Sequence, residues 1–162
     1  MNKALKILFQ EDVADRKAPD FQERFSEIAK RDKARMKKVS NIIRDTNTLE
    51  LQDLYHASFI FHHQGTKVAT QKARSLTKEG IKICGEKKTK ICNRMRWLHA
   101  AATDRLLILD KKPQKYGTQY RRLKNGRGFK LHPVDPKVAD QERIDLNVPT
   151  LAEARINAKN IK

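Results

Sequence analysis

The sequence predicts a compact, mainly α-helical domain with one short β-hairpin near residues 118–133. The chain has 162 residues, which is the length of one ordinary domain with room for a core. It contains only 5 Pro and 6 Gly, and helix-forming residues dominate. Apolar residues recur at helical spacing over long stretches, whereas the alternation typical of strands is scarce. We therefore expect a single domain over residues 1–162.

Two helices are expected on either side of Pro19-Asp20. Residues 2–16 have an amphipathic pattern, and a second helix is predicted from about residue 21 to residue 44. The middle of that second helix, residues 30–38, mixes basic and acidic side chains. We interpret this charged middle as a solvated face rather than a binding surface.

The third helix carries three of the five histidines and ends at His63. Asn47 and Glu50 have the spacing of an N-cap that is answered by an acid at the third helical position. His63 shares a face with His56 and Phe59, because the three residues follow an i, i+3, i+7 pattern. A fourth helix is expected over residues 67–83, with Gly85 as its stop.

The fifth helix, predicted over residues 90–110, places two charges within an apolar pattern. Arg105 falls in the row of Met95, Leu98, Ala102 and Leu109, where a core residue is expected. Asp104 lies about 100° away around the helix, so the two cannot satisfy one another. Because buried charges are costly unless paired, each needs a partner from another element or from a ligand.

The last third of the chain is expected to contain the hairpin and two short helices. Asn125-Gly126 is the turn signal of the hairpin. Asp135-Pro136 is expected to open a sixth helix, since Pro suits a first helical position. Thr150 and Glu153 have the spacing of a capping box at the start of the last helix.

The net charge of +17 is concentrated in one segment. Residues 66–132 hold 19 Lys and Arg against 4 Asp and Glu, an excess of +15. Such a field attracts anions such as nucleic acid, nucleotides or phosphorylated metabolites. A solvated basic surface that keeps the protein soluble is the alternative interpretation.

The sequence predicts a cytoplasmic protein without membrane association. No signal peptide fits the first residues, and no apolar run approaches the roughly 20 residues that cross a bilayer. Two cysteines, Cys84 and Cys92, are too few for a disulfide scaffold. They could form one bridge across a helix–helix turn, but we expect reduced thiols. The histidine spacing does not fit a metal pair, and no phosphate-binding glycine loop is present, so we expect neither metal nor cofactor.

The polar turn after Pro113 completes a candidate site. His63 is the expected acid/base, with Asp104 as its orienting carboxylate and Arg105 as the anion clamp. The turn adds hydrogen-bonding side chains around a glycine. The expected substrate-binding residues, beside Arg105, are Gln114, Tyr116, Thr118 and Gln119. An alternative interpretation is that Asp104 and Arg105 only hold the turn and the neighbouring helix ends together.

The sequence resembles a bacterial family known as a domain of unknown function, over about residues 30–153. The family pattern contains a helix ending in Phe-Gln-His-Gly and a helix of the type Ala…Leu-Ala…Ala…Gly. Trp-Leu-Ala-Ala…Asp-Arg follows, then Gln-x-(Phe/Tyr)-Gly-Thr-Gln, and the pattern closes with Val-Asp-Pro…Arg…Val-Pro. The matching segments are Phe61-His62-His63-Gln64, Trp97-Leu98-His99-Ala100-Ala101 with Asp104-Arg105, Gln114-Lys115-Tyr116-Gly117-Thr118-Gln119, Val134-Asp135-Pro136 and Val148-Pro149. His62 and Gln64 depart from the pattern, where the family has Gln and Gly. The resemblance implies that His63, Asp104, Arg105 and the turn form one site, and it supplies no reaction.

Three functions follow as hypotheses. The first is an enzyme or binding domain for a small anionic or nucleotide-like molecule, with His63-assisted hydrolysis or transfer. The second is a nucleic-acid-binding protein that uses the basic segment. Its expected contacts are Lys112, Lys115, Arg121, Arg122, Lys124 and Arg127. The third is a helical adaptor for an acidic protein. The oligomeric state is left open.

Overall fold

The computed structural model describes residues 1–123 and 128–161, and this part of the chain contains seven helices and one two-stranded antiparallel sheet. The prediction of a mainly α fold with one β-hairpin is therefore confirmed. The elements are α1 (Lys3–Lys17), α2 (Phe25–Asp45), α3 (Leu51–His63), α4 (Lys67–Cys84), α5 (Lys90–Leu109), β1 (Tyr120–Arg122), β2 (Phe129–Leu131), α6 (Asp140–Asp145) and α7 (Leu151–Asn160).

The chain divides into two compact units, residues 1–87 and residues 88–162. Unit 1 contains α1 to α4, and unit 2 contains α5 to α7 with the hairpin. Whether these two units form one domain, as the sequence predicts for residues 1–162, stays a prediction.

Helix α3 is the centre of unit 1, because it contacts α1, α2 and α4. Leu54, Ala57 and Ile60 on this helix are completely buried. Burial of such side chains contributes roughly 1.5–3 kcal/mol for each large aliphatic residue. A helix enclosed on several sides must also bury its polar residues, and this is how α3 comes to carry buried histidines.

Helices α1 and α2 bury charges within their apolar stripes. Asp12 follows Leu5 and Leu8 on the buried face of α1. On α2, Asp32 and Arg35 lie between Ile28 and Val39 on the buried face. The interpretation of residues 30–38 as a solvated face is therefore wrong for Asp32 and Arg35, which are 7% and 5% exposed. These two charges are buried because they are paired with each other and with charges on α1.

The ends of α3 and α4 follow the capping rules, with one change of residue. Glu50, not Asn47, is the N-cap of α3, and its side chain forms a reciprocal box with Asp53. The predicted N-cap was wrong because an acidic side chain three residues later supplied an equivalent acceptor. Helix α4 ends at Gly85, whose φ of 53° requires a residue that tolerates the left-handed region.

In unit 2, the hairpin pairs Tyr120 with Leu131 and Arg122 with Phe129. Its predicted turn, Asn125-Gly126, lies outside the described residues. Helix α6 begins at Asp140 and not at Asp135-Pro136, because the Asp135 carboxylate accepts a hydrogen bond from the Lys137 amide and forms a local turn. The capping box of Thr150 and Glu153 at the start of α7 is confirmed.

The buried face of α5 differs from the predicted row at its C-terminal end. Met95, Leu98 and Ala102 are buried as predicted, whereas Arg105 is only partly buried and Leu109 is 41% exposed. Asp104 is the completely buried charge of this helix.

Both cysteines, Cys84 and Cys92, are in the disulfide-bonded form, so the expectation of reduced thiols is wrong. Within residues 1–123 and 128–161, the helices are all too short or too polar to cross a membrane.

Candidate functional site

His63, at the end of α3, is paired with a buried carboxylate from α1. The Nδ1 atom of His63 lies 2.7 Å from Oδ2 of Asp12. Asp12 is 1% exposed, whereas the His63 side chain is 17% exposed. A buried carboxylate at one ring nitrogen fixes the orientation of an imidazole and stabilises its protonated form. The pair therefore has the geometry of an oriented acid/base group.

Asp12 is held in place by a network of three carboxylates and three arginines. Arg16 donates to Asp12 at 2.9 Å and to Asp32 at 2.7 Å. Arg35 bridges Asp32 and Asp15. We call this set the carboxylate–arginine network; its members are Asp12, Asp15, Asp32, Arg16, Arg31 and Arg35. Glu27 and Glu11 also contact Arg31 and Arg35, at 3.3 and 3.8 Å, so the acids in and around the network outnumber its three arginines, and protonation of His63 reduces the local negative charge.

A cavity of about 120 Å³ lies beside this pair in unit 1. We call it the His63 cavity; its lining consists of Arg16, Phe21, Phe25, Ile28, Ala29, Asp32, His63 and Gln64. Gln64 is the C-cap of α3, and its Nε2 atom is buried without a hydrogen-bond partner among the described residues. A buried donor without an acceptor costs about 1–3 kcal/mol. Gln64 therefore places a donor without an acceptor among the residues that line the cavity.

The size of the His63 cavity limits what it can hold. A volume of about 120 Å³ is well below the roughly 300 Å³ at which drug-sized ligand pockets begin. It suits a few waters or one small polar group, such as a carboxylate or a phosphoryl group. A larger molecule would place only its reacting end there.

Asp104 has a different environment from the one predicted for an orienter of His63. Its carboxylate accepts hydrogen bonds from the backbone amides of Lys115, Tyr116 and Thr118 at 2.7, 2.9 and 2.9 Å. The Thr118 hydroxyl donates a fourth bond at 2.8 Å. Asp104 therefore organises the polar turn, and the orienting carboxylate of His63 is Asp12.

Arg143 from α6 binds backbone carbonyl groups of the same turn. This guanidinium is 1% exposed and donates to the carbonyls of Lys115 and Tyr116, each at 3.2 Å. The Gln114 side chain donates to the carbonyls of Gln119 and His132 and accepts from the Gln119 amide. The amides and carbonyls of the turn are thus satisfied by surrounding side chains.

Arg105 and Gln119 are paired with each other. The Arg105 guanidinium donates twice to Oε1 of Gln119, at 3.2 and 3.1 Å. Tyr116 is buried against Ala100 and Val148. Each charge of the Asp104-Arg105 pair thus has a partner in the turn, as the sequence predicted.

Unit 2 therefore brings together six of the seven predicted site residues, and His63 belongs to unit 1. Asp104, Gln114 and Thr118 form hydrogen bonds that hold the turn in its conformation. Their assignment to catalysis and substrate binding stays a prediction.

The predicted nucleic-acid residues have varied surroundings. Lys115 is paired with Glu142 at 2.7 Å, and this bond raises the pKa of the lysine. Lys112 lines a cavity of about 270 Å³ that also contains Lys111 and His132. Arg121 and Arg122 are exposed on β1, whereas Lys124 and Arg127 lie outside the described residues.

Three residues of these sites were not identified from the sequence. Asp12 had a usable signal, because it continues the i, i+3, i+7 stripe of Leu5 and Leu8. The sequence singled out Gln64 only because it departs from the family pattern, which has Gly at this position. Arg143 has no periodic signal, since α6 is too short for a helical periodicity to appear, and its signal is the Arg that the family pattern has between Val-Asp-Pro and Val-Pro.

Comparisons with protein-family models, with curated proteins and with solved structures gave no significant match to this chain. The resemblance to the bacterial family therefore stays a prediction. In residues 1–123 and 128–161, no group of His, Cys, Asp and Glu side chains has an arrangement that could hold a metal ion.

Proposed function

We propose that the protein acts on a small anionic molecule through His63, which transfers a proton at an oxygen-bearing group bound in the His63 cavity. Asp12 orients the imidazole and stabilises its charged form. The reaction class is a hydrolysis or a group transfer, since both need a proton moved at an oxygen atom.

The observation that carries the proposal is the 2.7 Å contact between His63 and the buried Asp12 at the wall of a cavity. An imidazole held by a carboxylate is a recurring arrangement for general acid/base catalysis. His63 also stacks edge-on against Phe59, at 4.2 Å between ring centroids, which restricts the ring further.

The preference for an anion follows from the donors around the cavity. Gln64 offers a buried amide that lacks an acceptor, and Arg16 is the cation of the lining. The carboxylate of Asp32 is neutralised by Arg16 and Arg35. Protonation of His63 adds one positive charge at the wall of the cavity, which favours a carboxylate or a phosphoryl group there.

The proposal is tested with inorganic phosphate and acetate as probes, and with p-nitrophenyl phosphate and p-nitrophenyl acetate as substrates. We expect both anions to shift the His63 ring resonances in ¹H–¹⁵N spectra. We expect His63→Gln to lower any hydrolysis at least about a hundredfold, which is the usual contribution of an acid/base group. His132→Gln, in unit 2, is the matched control and should leave both measurements unchanged.

Two results contradict the proposal. One is a His63→Gln protein with unchanged thermal stability that keeps wild-type hydrolysis and phosphate binding. The other is a His63 ring that responds to neither phosphate nor acetate at any concentration that leaves the His132 ring unperturbed.

A second candidate function is nucleic-acid binding, which is favoured by one face of α4. Lys67, Arg74, Lys78 and Lys82 recur at helical spacing and are all exposed. We call these four residues the α4 basic stripe. Arg74, Lys78 and Lys82 lie about one helical turn apart, and Lys67 lies about two turns before Arg74, so the four cations share one face that can contact the phosphates of a nucleic acid. This function uses residues that the His63 cavity does not.

A further inference from the structure

A second and larger cavity in unit 1 has a lining of different chemistry from that of the His63 cavity. It measures about 460 Å³ and is bounded by the second half of α2, the start of α4 and Phe61 of α3. We call it the α2–α4 cavity; its apolar lining consists of Met36, Ile43, Phe61, Val68 and Ala69. The two cavities share no lining residue.

One apolar residue of this lining, Val68, is open to solvent, whereas Phe61 and Ala69 are buried. Val68 is 78% exposed, although it lies in the first turn of a helix whose next residue, Ala69, is buried. An exposed apolar side chain at a cavity mouth contributes nothing to the folded state by burial. It becomes favourable when an apolar ligand covers it, at roughly 25 cal/mol for each Å² removed from water.

The lining also contains two polar residues, Ser40 and Thr66, and two cations, Arg44 from α2 and Lys72 from α4. None of the lining residues in the described part of the chain is acidic. Arg44 contacts its neighbour Asp45 at 3.0 Å, but both side chains are largely exposed, so that pair is weak. The N-terminus of the 18-residue helix α4 lies at Thr66 in the same lining, where the helix dipole adds a partial positive charge. The electrostatics of the cavity therefore favour an anionic group.

We infer that the α2–α4 cavity binds an amphipathic anion, a molecule with an alkyl or aryl body and one carboxylate or phosphate. The body lies against Phe61, Val68 and Ala69, and the anionic group contacts Lys72 and Arg44. The volume falls within the range of about 300–1,000 Å³ that is usual for small-molecule sites. This binding site is independent of the proposed chemistry at His63.

Isothermal titration calorimetry with decanoate, decanol and decyltrimethylammonium tests the inference, because the three probes share a tail and differ in charge. Decanoate should bind at least about tenfold more tightly than decyltrimethylammonium, with decanol between them. Lys72→Gln should weaken decanoate binding about threefold to fivefold, as expected for one exposed charge. The double variant Arg44→Gln/Lys72→Gln should weaken it about tenfold and should leave decanol unaffected.

Position 68 provides a sharper test because the side chain is exposed and its replacement leaves the core intact. Val68→Glu should lower decanoate affinity at least about tenfold, whereas Val68→Lys should preserve it. Lys78→Gln, an exposed lysine of α4 outside the lining, is the matched control and should bind decanoate as the wild type does.

Equal affinity for the three probes overturns the inference of an anion site. Decanoate binding that survives Val68→Glu and the double variant, both with wild-type melting temperatures, overturns the assignment to this cavity. The result for His63 is separable, since His63→Gln should not change decanoate affinity.

Discussion

At the scale of single residues, some charged side chains are buried at positions where the apolar pattern predicts a hydrophobic residue. The buried charges of Asp104 and Arg143 have hydrogen-bond partners. Asp104 is completely buried and accepts four hydrogen bonds from one turn. Arg143 donates to two carbonyls of the same turn. Because the two side chains serve opposite kinds of backbone group, neither can replace the other.

The replacement Asp104→Asn should destabilise the protein by about 3 kcal/mol or more. An amide has only one acceptor oxygen, and its N–H₂ group would face backbone N–H donors that lose their partner. Urea unfolding monitored by far-ultraviolet circular dichroism measures the loss. Asp145→Asn, on the exposed surface of α6, is the control and should change stability by less than about 0.5 kcal/mol. A loss below about 1 kcal/mol in Asp104→Asn would show that the turn does not depend on this carboxylate.

At the scale of elements, the strongest periodic signals of the sequence correspond to real helices. The bounds of α4 agree with prediction because the Thr66 cap, the Gly85 stop and a regular apolar stripe all favour the same ends. Helix α5 begins at Lys90 as predicted, directly after its N-cap Thr89. The start of α3 was misplaced, since Asn47 and Glu50 are both acceptable caps and tertiary contacts choose between them. Local patterns thus identify an element better than they identify its first residue.

The partners of buried charges are the part that local patterns could not predict. Asp12 and His63 are 51 residues apart in the chain, as are the Asn2 amide and the Asp53 carboxylate that accepts from it. Helical periodicity gives the face on which Asp12 lies, and it contains no information about which helix will cover that face. The sequence therefore predicted His63 as a candidate and did not predict its contact with Asp12.

The buried histidine His56 on α3 is expected to make the stability of the protein depend on pH. His56 is buried and stacked on Phe9 at 4.5 Å, and its Nδ1 atom has no partner among the described residues. Burial lowers the pKa of His56 below its ordinary value of 6.5, and the nearby charge of Lys6 adds to this, while Asp53 opposes it. Because the unfolded chain then binds the proton more readily, stability is complete above about pH 6.5 and falls as the pH decreases through the lowered pKa.

Unfolding in urea at pH 7.5 and at pH 5.5 measures this dependence. We expect His56→Phe to keep the stacking on Phe9 and to lose less stability on acidification than the wild type. His132→Phe in unit 2 is the comparison variant and should also lose less stability on acidification than the wild type, because burial and the charge of Arg121 lower the pKa of His132 as well. If His56→Phe and the wild type lose the same stability between the two pH values, His56 does not titrate on unfolding.

At the scale of the whole molecule, charge is unevenly distributed between the units. Residues 1–87 hold 18 Lys and Arg against 12 Asp and Glu, and residues 88–162 hold 18 against 7, so the excesses are +6 and +11. In unit 1 several acidic side chains are paired with arginines in the carboxylate–arginine network, whereas the α4 basic stripe is exposed. Both units therefore present cations that a polyanion can reach.

Nucleic-acid binding by these cations would have a measurable salt dependence. Each phosphate neutralised on duplex DNA changes the slope of log affinity against log salt by about −0.9. Replacing three residues of the α4 basic stripe, in Arg74→Gln/Lys78→Gln/Lys82→Gln, should reduce the magnitude of that slope by about 2–3. Arg121→Gln/Arg122→Gln on β1 should reduce it by about 1–2. Fluorescence anisotropy of a labelled duplex over a salt series gives both values.

The control for these variants is Lys3→Gln/Lys6→Gln on α1, which removes two exposed charges outside both surfaces. A general effect of net charge would lower the slope in this control as much as in the β1 variant, and would argue against a defined nucleic-acid surface. A defined surface requires the α4 and β1 variants to differ from the control, with His63→Gln indistinguishable from the wild type. Since His63→Gln is also the variant expected to abolish acid/base chemistry, the same set of proteins separates the two candidate functions.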